Sequence, residues 1–216
     1  MPYLKSRFFI HSIVAFIGVP LLFWALSGPP VRSPLKASLS IVTLVAFFLM
    51  MGLFYWSRAG KAVVGDLKMA RVVRLHKWVG YTVVDTLLLH PFFLVVPRFF
   101  EAGVAPLDAL VTILTTTNRG VILGILAWSL MLTIGLTALV RKRLPIKYTT
   151  WRTLHGLLAA FFIVIAAWHV IDLGRHASLA MAILIVCMTA GGVQLWLGNY
   201  LSGFTVAVIQ KERKQN

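Results

Sequence analysis

Six stretches of about 20 residues are apolar and long enough to cross a ~30 Å hydrocarbon core as helices, and nothing else in the chain constrains its fold so strongly. They lie near 8–28, 38–56, 73–97, 119–140, 149–171 and 178–198. In lipid each backbone N–H and C=O has to be satisfied within the spanning segment, so such stretches become helices rather than open sheets. The expected fold class is therefore an all-α integral membrane protein, a six-helix transmembrane bundle forming one domain over residues 1–216. A hydrophobic share of 59% agrees, since soluble domains sit nearer one half. The remaining aqueous parts are short loops, which leaves no room for a separate soluble domain.

Punctuation supports the spans. Gly28-Pro29-Pro30 ends the first, Pro97 is expected to end the third, and Arg141-Lys142-Arg143-Leu144-Pro145 closes the fourth. Residues 200–209, moderately apolar, are expected to lie along the interface before the charged end. The first segment follows Lys5 and Arg7 as a secretory signal would. At about 20 residues it exceeds the usual 7–15 residue signal core, and no small-x-small cleavage site follows, so it is read as a retained helix.

The formal charge is +15, from 21 Lys and Arg against 6 Asp and Glu. No basic stripe with interleaved exposed aromatics remains outside the spans, so nucleic acid is not the expected partner; anionic membrane lipid is. Basic residues concentrate in cytoplasmic loops. Of the 21, 16 fall in the N-terminus, the loops after helices two and four, and the C-terminus. Both termini are thus expected to be cytoplasmic, in a bacterial inner membrane, with helices one, three and five running outward. Cys187 is the single cysteine, so the chain can build neither a disulfide nor a cysteine-ligated cluster.

Chemistry is carried by four histidines. His76 and His90 are 14 residues apart in helix three, and His155 and His169 repeat that spacing in helix five. On a straight helix 14 residues leave two side chains within about 40° of one face and about 21 Å apart along the axis. Helices three and five are co-directional, so His76 meets His155 near the cytoplasmic face and His90 meets His169 near the outer one. Two facing neutral imidazoles are the bis-axial iron ligands of a b-type haem. Two such haems, about 21 Å apart, would nearly span the membrane.

Gly80 and Ala159, each four residues beyond an inner histidine, are small enough for a flat porphyrin to lie against the helix. Arg74, Lys77 and Arg152 are placed to meet propionates at the inner site; Arg98, Arg119 and Arg175 are placed to do so at the outer one. Phe162, seven residues from both His155 and His169, falls between the two levels as a packing spacer. The competing readings are helix-interface hydrogen bonding, a proton path and a metal-transport site. A metal site needs ligands converging on one point, which histidines about 21 Å apart on a helix do not provide. His11 and His176 lack partners at this spacing and are read as non-ligands. Asp85, about half a turn from the ligand face, is expected to pair with a polar group on another helix. Met50, Met51, Met131, Met181 and Met188 are read as packing residues.

The stretch Arg74-Leu75-His76-Lys77-Trp78-Val79-Gly80 running to His90, with Trp151-Arg152-Thr153-Leu154-His155 running to Trp168-His169, resembles the ferric reductase-like transmembrane domain family. That family includes NADPH oxidases, ferric reductases and the stand-alone MsrQ (YedZ) haem-binding subunit. The resemblance covers helices two to six. It implies six helices, two b haems at the four histidines, and one-electron transfer from a cytoplasmic flavin to an acceptor outside. No Gly-rich nucleotide fingerprint follows a strand here, so the chain is similar to the stand-alone branch. The donor is then a separate flavin reductase, with FMN or FAD at the cytoplasmic face, or a quinol. The acceptor is a periplasmic partner; alternatives are direct reduction of ferric chelates or dioxygen. The basic loops after helices two and four suit docking of an acidic flavoprotein. The membrane potential, negative inside, favours one electron crossing outward by ~2.3 kcal/mol per 100 mV.

Overall fold

A computed structural model describes residues 7–28, 33–58, 69–173 and 178–212, with side chains described as far as Tyr200. Arg175 and His176 lie outside the described residues. The described chain is helical, with no strand. Helix α1 covers Arg7–Leu26 and contains a π-helical turn at Val14–Gly18, just before Pro20, which has no N–H to give the preceding turn. α2 is Pro34–Trp56, α3 Met69–Leu88, α4 His90–Ala102, α5 Pro106–Leu114, α6 Arg119–Leu139, α7 Tyr148–Leu173 and α8 Leu179–Glu212.

Among the described residues five helices are long and apolar enough to cross a membrane: α1, α2, α6, α7 and α8. α3 and α4 qualify only together, as a pair bent by 41°. The spans agree with the hydropathy reading within a few residues, with three corrections. The first concerns helix three, expected as one rod over 73–97. It breaks at Leu89, because Pro91 has no N–H for the Leu87 carbonyl and its ring crowds the preceding turn. Pro97, expected as the terminator, lies inside α4 and is buried there. The chain turns instead at Gly103, which adopts a left-handed φ of 66°.

The second concerns residues 99–118, between the third and fourth hydropathy spans. They hold the end of α4 and the whole of α5, started by Pro106 with Asp108 in its first turn. Asn118, the last of the polar Thr-Asn run, caps α6 by accepting from Val121 N at 3.3 Å. The third concerns residues 200–209, which continue α8 as helix rather than starting a separate interfacial segment.

α2 is the hub, packing on α1, α3, α4 and α8. The core gathers Phe47, Phe48, Met51 and Phe54 of α2 around Met131 of α6, Ile163 of α7, and Met181 and Ile185 of α8. The methionines Met51, Met131 and Met181 thus fill gaps between helices, as expected. Register contacts fix direction. α6 meets α3 with Gly135 near Val84 and Trp128 near Leu88, and meets α7 with Arg119 near Asp172. α3 and α7 therefore both run antiparallel to α6 and parallel to each other. They do not pack closely on one another, so α6 joins the two histidine helices while their own backbones stay apart.

Candidate functional site

At one end of the bundle, His76 near the start of α3 and His155 near the start of α7 come within electrostatic reach of each other. Both are partly buried. His76 rests against the Leu53 backbone of α2. Trp151, one turn before His155, stacks on its imidazole at 4.9 Å between ring centroids with planes 28° apart. Tyr148 stacks on Trp151 at 6.0 Å, and the Arg141 guanidinium lies over the Tyr148 ring at 4.3 Å.

Polar satisfaction at this end is incomplete. Among the described residues, His76 Nδ1, His155 Nδ1 and Trp151 Nε1 are all buried with no hydrogen-bond partner. Leaving such atoms unpaired costs on the order of 1–3 kcal/mol each.

Arg58, just past the end of α2, faces the same place. Its guanidinium lies 3.7 Å from the Phe54 ring centroid and donates to the Phe54 carbonyl at 2.8 Å and to Ser57 Oγ at 2.6 Å. It acts electrostatically on both His76 and His155. It lies against Gly156 of α7, where a Cβ would stand 3.6 Å from Arg58 Nη2 and, more tightly, 3.1 Å from Trp196 Nε1. Burial pushes the Arg58 pKa down to about 10. No carboxylate among the described residues pairs with it.

At the other end, His90 and His169 are anchored to different neighbours. Thr43 of α2 donates its hydroxyl to the Leu39 carbonyl at 2.8 Å, so its lone pairs face His90 Nδ1 at 3.3 Å. The imidazole is then the donor, with Nδ1 protonated and the lone pair on Nε2. His169 of α7 places Nδ1 at 2.6 Å from the Gly120 carbonyl of α6, which can only accept, so the same tautomer follows. Gly124, one turn on, lets the ring lie against α6: a Cβ would stand 2.5 Å from His169 Cε1.

The expected spacing argument holds on α7, which is unbroken from His155 to His169, with the buried Phe162 midway between them. It does not hold on α3 and α4, where the bend at Leu89 separates His76 from His90. Arg74, Lys77 and Arg152 are exposed beside the inner pair, and Lys77 leans over the Tyr81 ring at 5.7 Å. Arg119 is committed to Asp172 in an ion pair across the α6–α7 end. Gly80 packs toward Leu53 of α2 rather than toward α7. His11 and Asp85 are exposed on α1 and α3.

Arg58, Trp151, Thr43, Gly120, Gly124 and Asp172 were not among the expected site residues. A Gly-x-x-x-Gly spacing at 120 and 124 was the available signal for close approach at α6.

The family described as "Ferric reductase like transmembrane component" matches residues 39–166, more than half of the chain and inclusive of His76, His90 and His155. An uncharacterized protein of Archaeoglobus fulgidus is 41% identical over 160 residues, covering 74% of this chain and 87% of that one. No solved structure matches significantly. The apolar helices, the four histidines on three of them and these matches together place the chain in the ferric reductase-like transmembrane family, as an integral membrane protein with a transmembrane redox role.

Proposed function

We propose that this protein is a di-haem b-type electron-transfer protein of the cytoplasmic membrane, with its His76/His155 end on the cytoplasmic side. Bound at His76/His155 and at His90/His169, two b haems would supply one-electron carriers between a cytoplasmic flavin or quinol donor and an outer acceptor, a partner protein or a ferric chelate.

The observation that carries this reading is the inner pair. Two imidazoles from co-directional helices stand close together, with buried Nδ1 atoms that no described residue satisfies. A metal-binding group is the partner that such nitrogens lack. α7 and α3 supply the two faces, α6 keeps them apart, and Trp151 holds the plane of His155 by stacking. At the outer end, Thr43 and the Gly120 carbonyl accept from the Nδ1–H groups of His90 and His169 and so fix the rings with Nε2 free to ligate. Phe162 excludes water between the two levels.

On the donor side, Arg141, Lys142 and Arg143 form an exposed basic turn that leads through Tyr148 and Trp151 to His155. Such a surface suits an acidic flavoprotein or the phosphates of FMN or FAD.

The test is spectroscopic. Purified protein should show dithionite-minus-oxidised b-type bands and a pyridine haemochrome giving two haems per chain. His76→Ala or His155→Ala should leave one. Absence of haem absorbance sinks the proposal, and two haems retained in His155→Ala overturn the inner assignment.

A further inference from the structure

The two ends are electrostatically unlike, and the difference points one way. At the inner end the half-buried Arg58 guanidinium sits beside both imidazoles with no carboxylate among the described residues to cancel it. At the outer end both Nδ1–H groups donate, to Thr43 Oγ1 and to the Gly120 carbonyl. The nearby Arg119 charge is cancelled by Asp172. Arg98 lies eight residues beyond His90, roughly 12 Å along α4.

An uncancelled, half-buried cation favours the state with one more electron. A hydrogen bond from the far imidazole nitrogen makes the ligand more basic and favours the oxidised metal. Exposed Arg74, Lys77 and Arg152 contribute little, because water and salt screen them. We propose that Arg58 is a potential-setting residue that makes the inner haem the easier of the two to reduce, while Thr43 and the Gly120 carbonyl hold the outer haem lower. Electron passage outward is then uphill between the two sites and drawn forward by the membrane potential and the acceptor. The inner site holds an electron until an acceptor is present.

This inference rests on the di-haem reading, so the experiment separates the two. Haem stoichiometry comes first, and fewer than two haems per chain fails the parent reading. On protein with two haems, an equilibrium redox titration followed in the visible bands should resolve two waves. His169→Ala, which keeps only the inner haem, should retain the higher one. A single unresolved wave, or a retained lower wave, overturns the inference while leaving two haems in place. Arg58→Gln should shift the inner ratio of reduced to oxidised haem at least tenfold toward oxidised, about 59 mV for one electron, and Arg58→Lys should restore most of it. An inner wave unmoved in Arg58→Gln overturns the role of that residue. Thr43→Val lies far from the inner site and remains informative if Arg58→Gln loses haem: it should raise the outer wave alone, and an unmoved outer wave overturns the outer half.

Discussion

The Trp128 indole of α6 donates to the Leu88 carbonyl of α3 at 3.4 Å, at the point where the α3–α4 bend robs that carbonyl of its helical partner. Phe92 N, which would bond Leu88 in a straight helix, turns to Leu89 instead at 2.9 Å. In lipid such a carbonyl finds no water, so a neighbouring helix supplies the donor.

Trp128→Phe keeps the ring and removes the donor. It should cost about 0.6 kcal/mol, and at most about 1.7, the range for interhelical hydrogen bonds in membranes. Unfolding in detergent against wild type measures this, and a variant at least as stable as wild type would show that the bond is idle.

Pro91→Ala restores an N–H to the Leu87 carbonyl and favours a continuous α3–α4 rod. His90 should then swing away from Thr43, and outer haem content should fall while the inner haem is kept. Pyridine haemochrome together with the redox waves distinguishes the two sites. Equal loss from both would mean that the bend serves the whole bundle rather than one end.

Gly124→Ala would set a Cβ 2.5 Å from His169 Cε1 and 2.7 Å from Nδ1. Either the ring moves or α6 does, at about 1–3 kcal/mol for overpacking. Gly135→Ala on the same helix meets only the Val84 Cγ1 methyl, at 3.2 Å, and should be milder. Comparison of their melting temperatures and outer-haem spectra tests the contrast, which fails if the two behave alike.

Tyr55 donates to the Met188 carbonyl at 2.6 Å, and a Cβ at Gly191 would lie 2.6 Å from its hydroxyl. Gly191→Ala alone should destabilise strongly. Adding Tyr55→Phe removes the colliding oxygen, so the double variant should be more stable than the sum of the two single losses predicts. Strict additivity would show that α8 absorbs the methyl by shifting.

Hydropathy made the spans legible because lipid imposes one requirement, a continuous apolar helix, on each of them. The inner pair was legible for a related reason: His76 and His155 stand at matching depths on helices running the same way. The bend at Leu89 had its signal in Pro91, but Pro97 read equally well as a terminator, and only packing decides which proline interrupts a membrane helix. The partners of the histidines were harder to see. Thr43, Gly120 and Arg58 reach them across helix interfaces whose register is set by close packing of small residues, and apolar faces all around leave no polarity pattern to reveal it. Arg58 looked like one more basic residue in a basic loop, and its place beside two imidazoles comes only from how the helices pack.

The proline-led break in the third crossing means that His90 belongs to a short arm hinged on the rest of the molecule, whereas His155 and His169 share one rigid shaft. A substitution in the arm moves one histidine, whereas a shift of the shaft carries both of its histidines together, so the two crossings differ in how far a local change reaches.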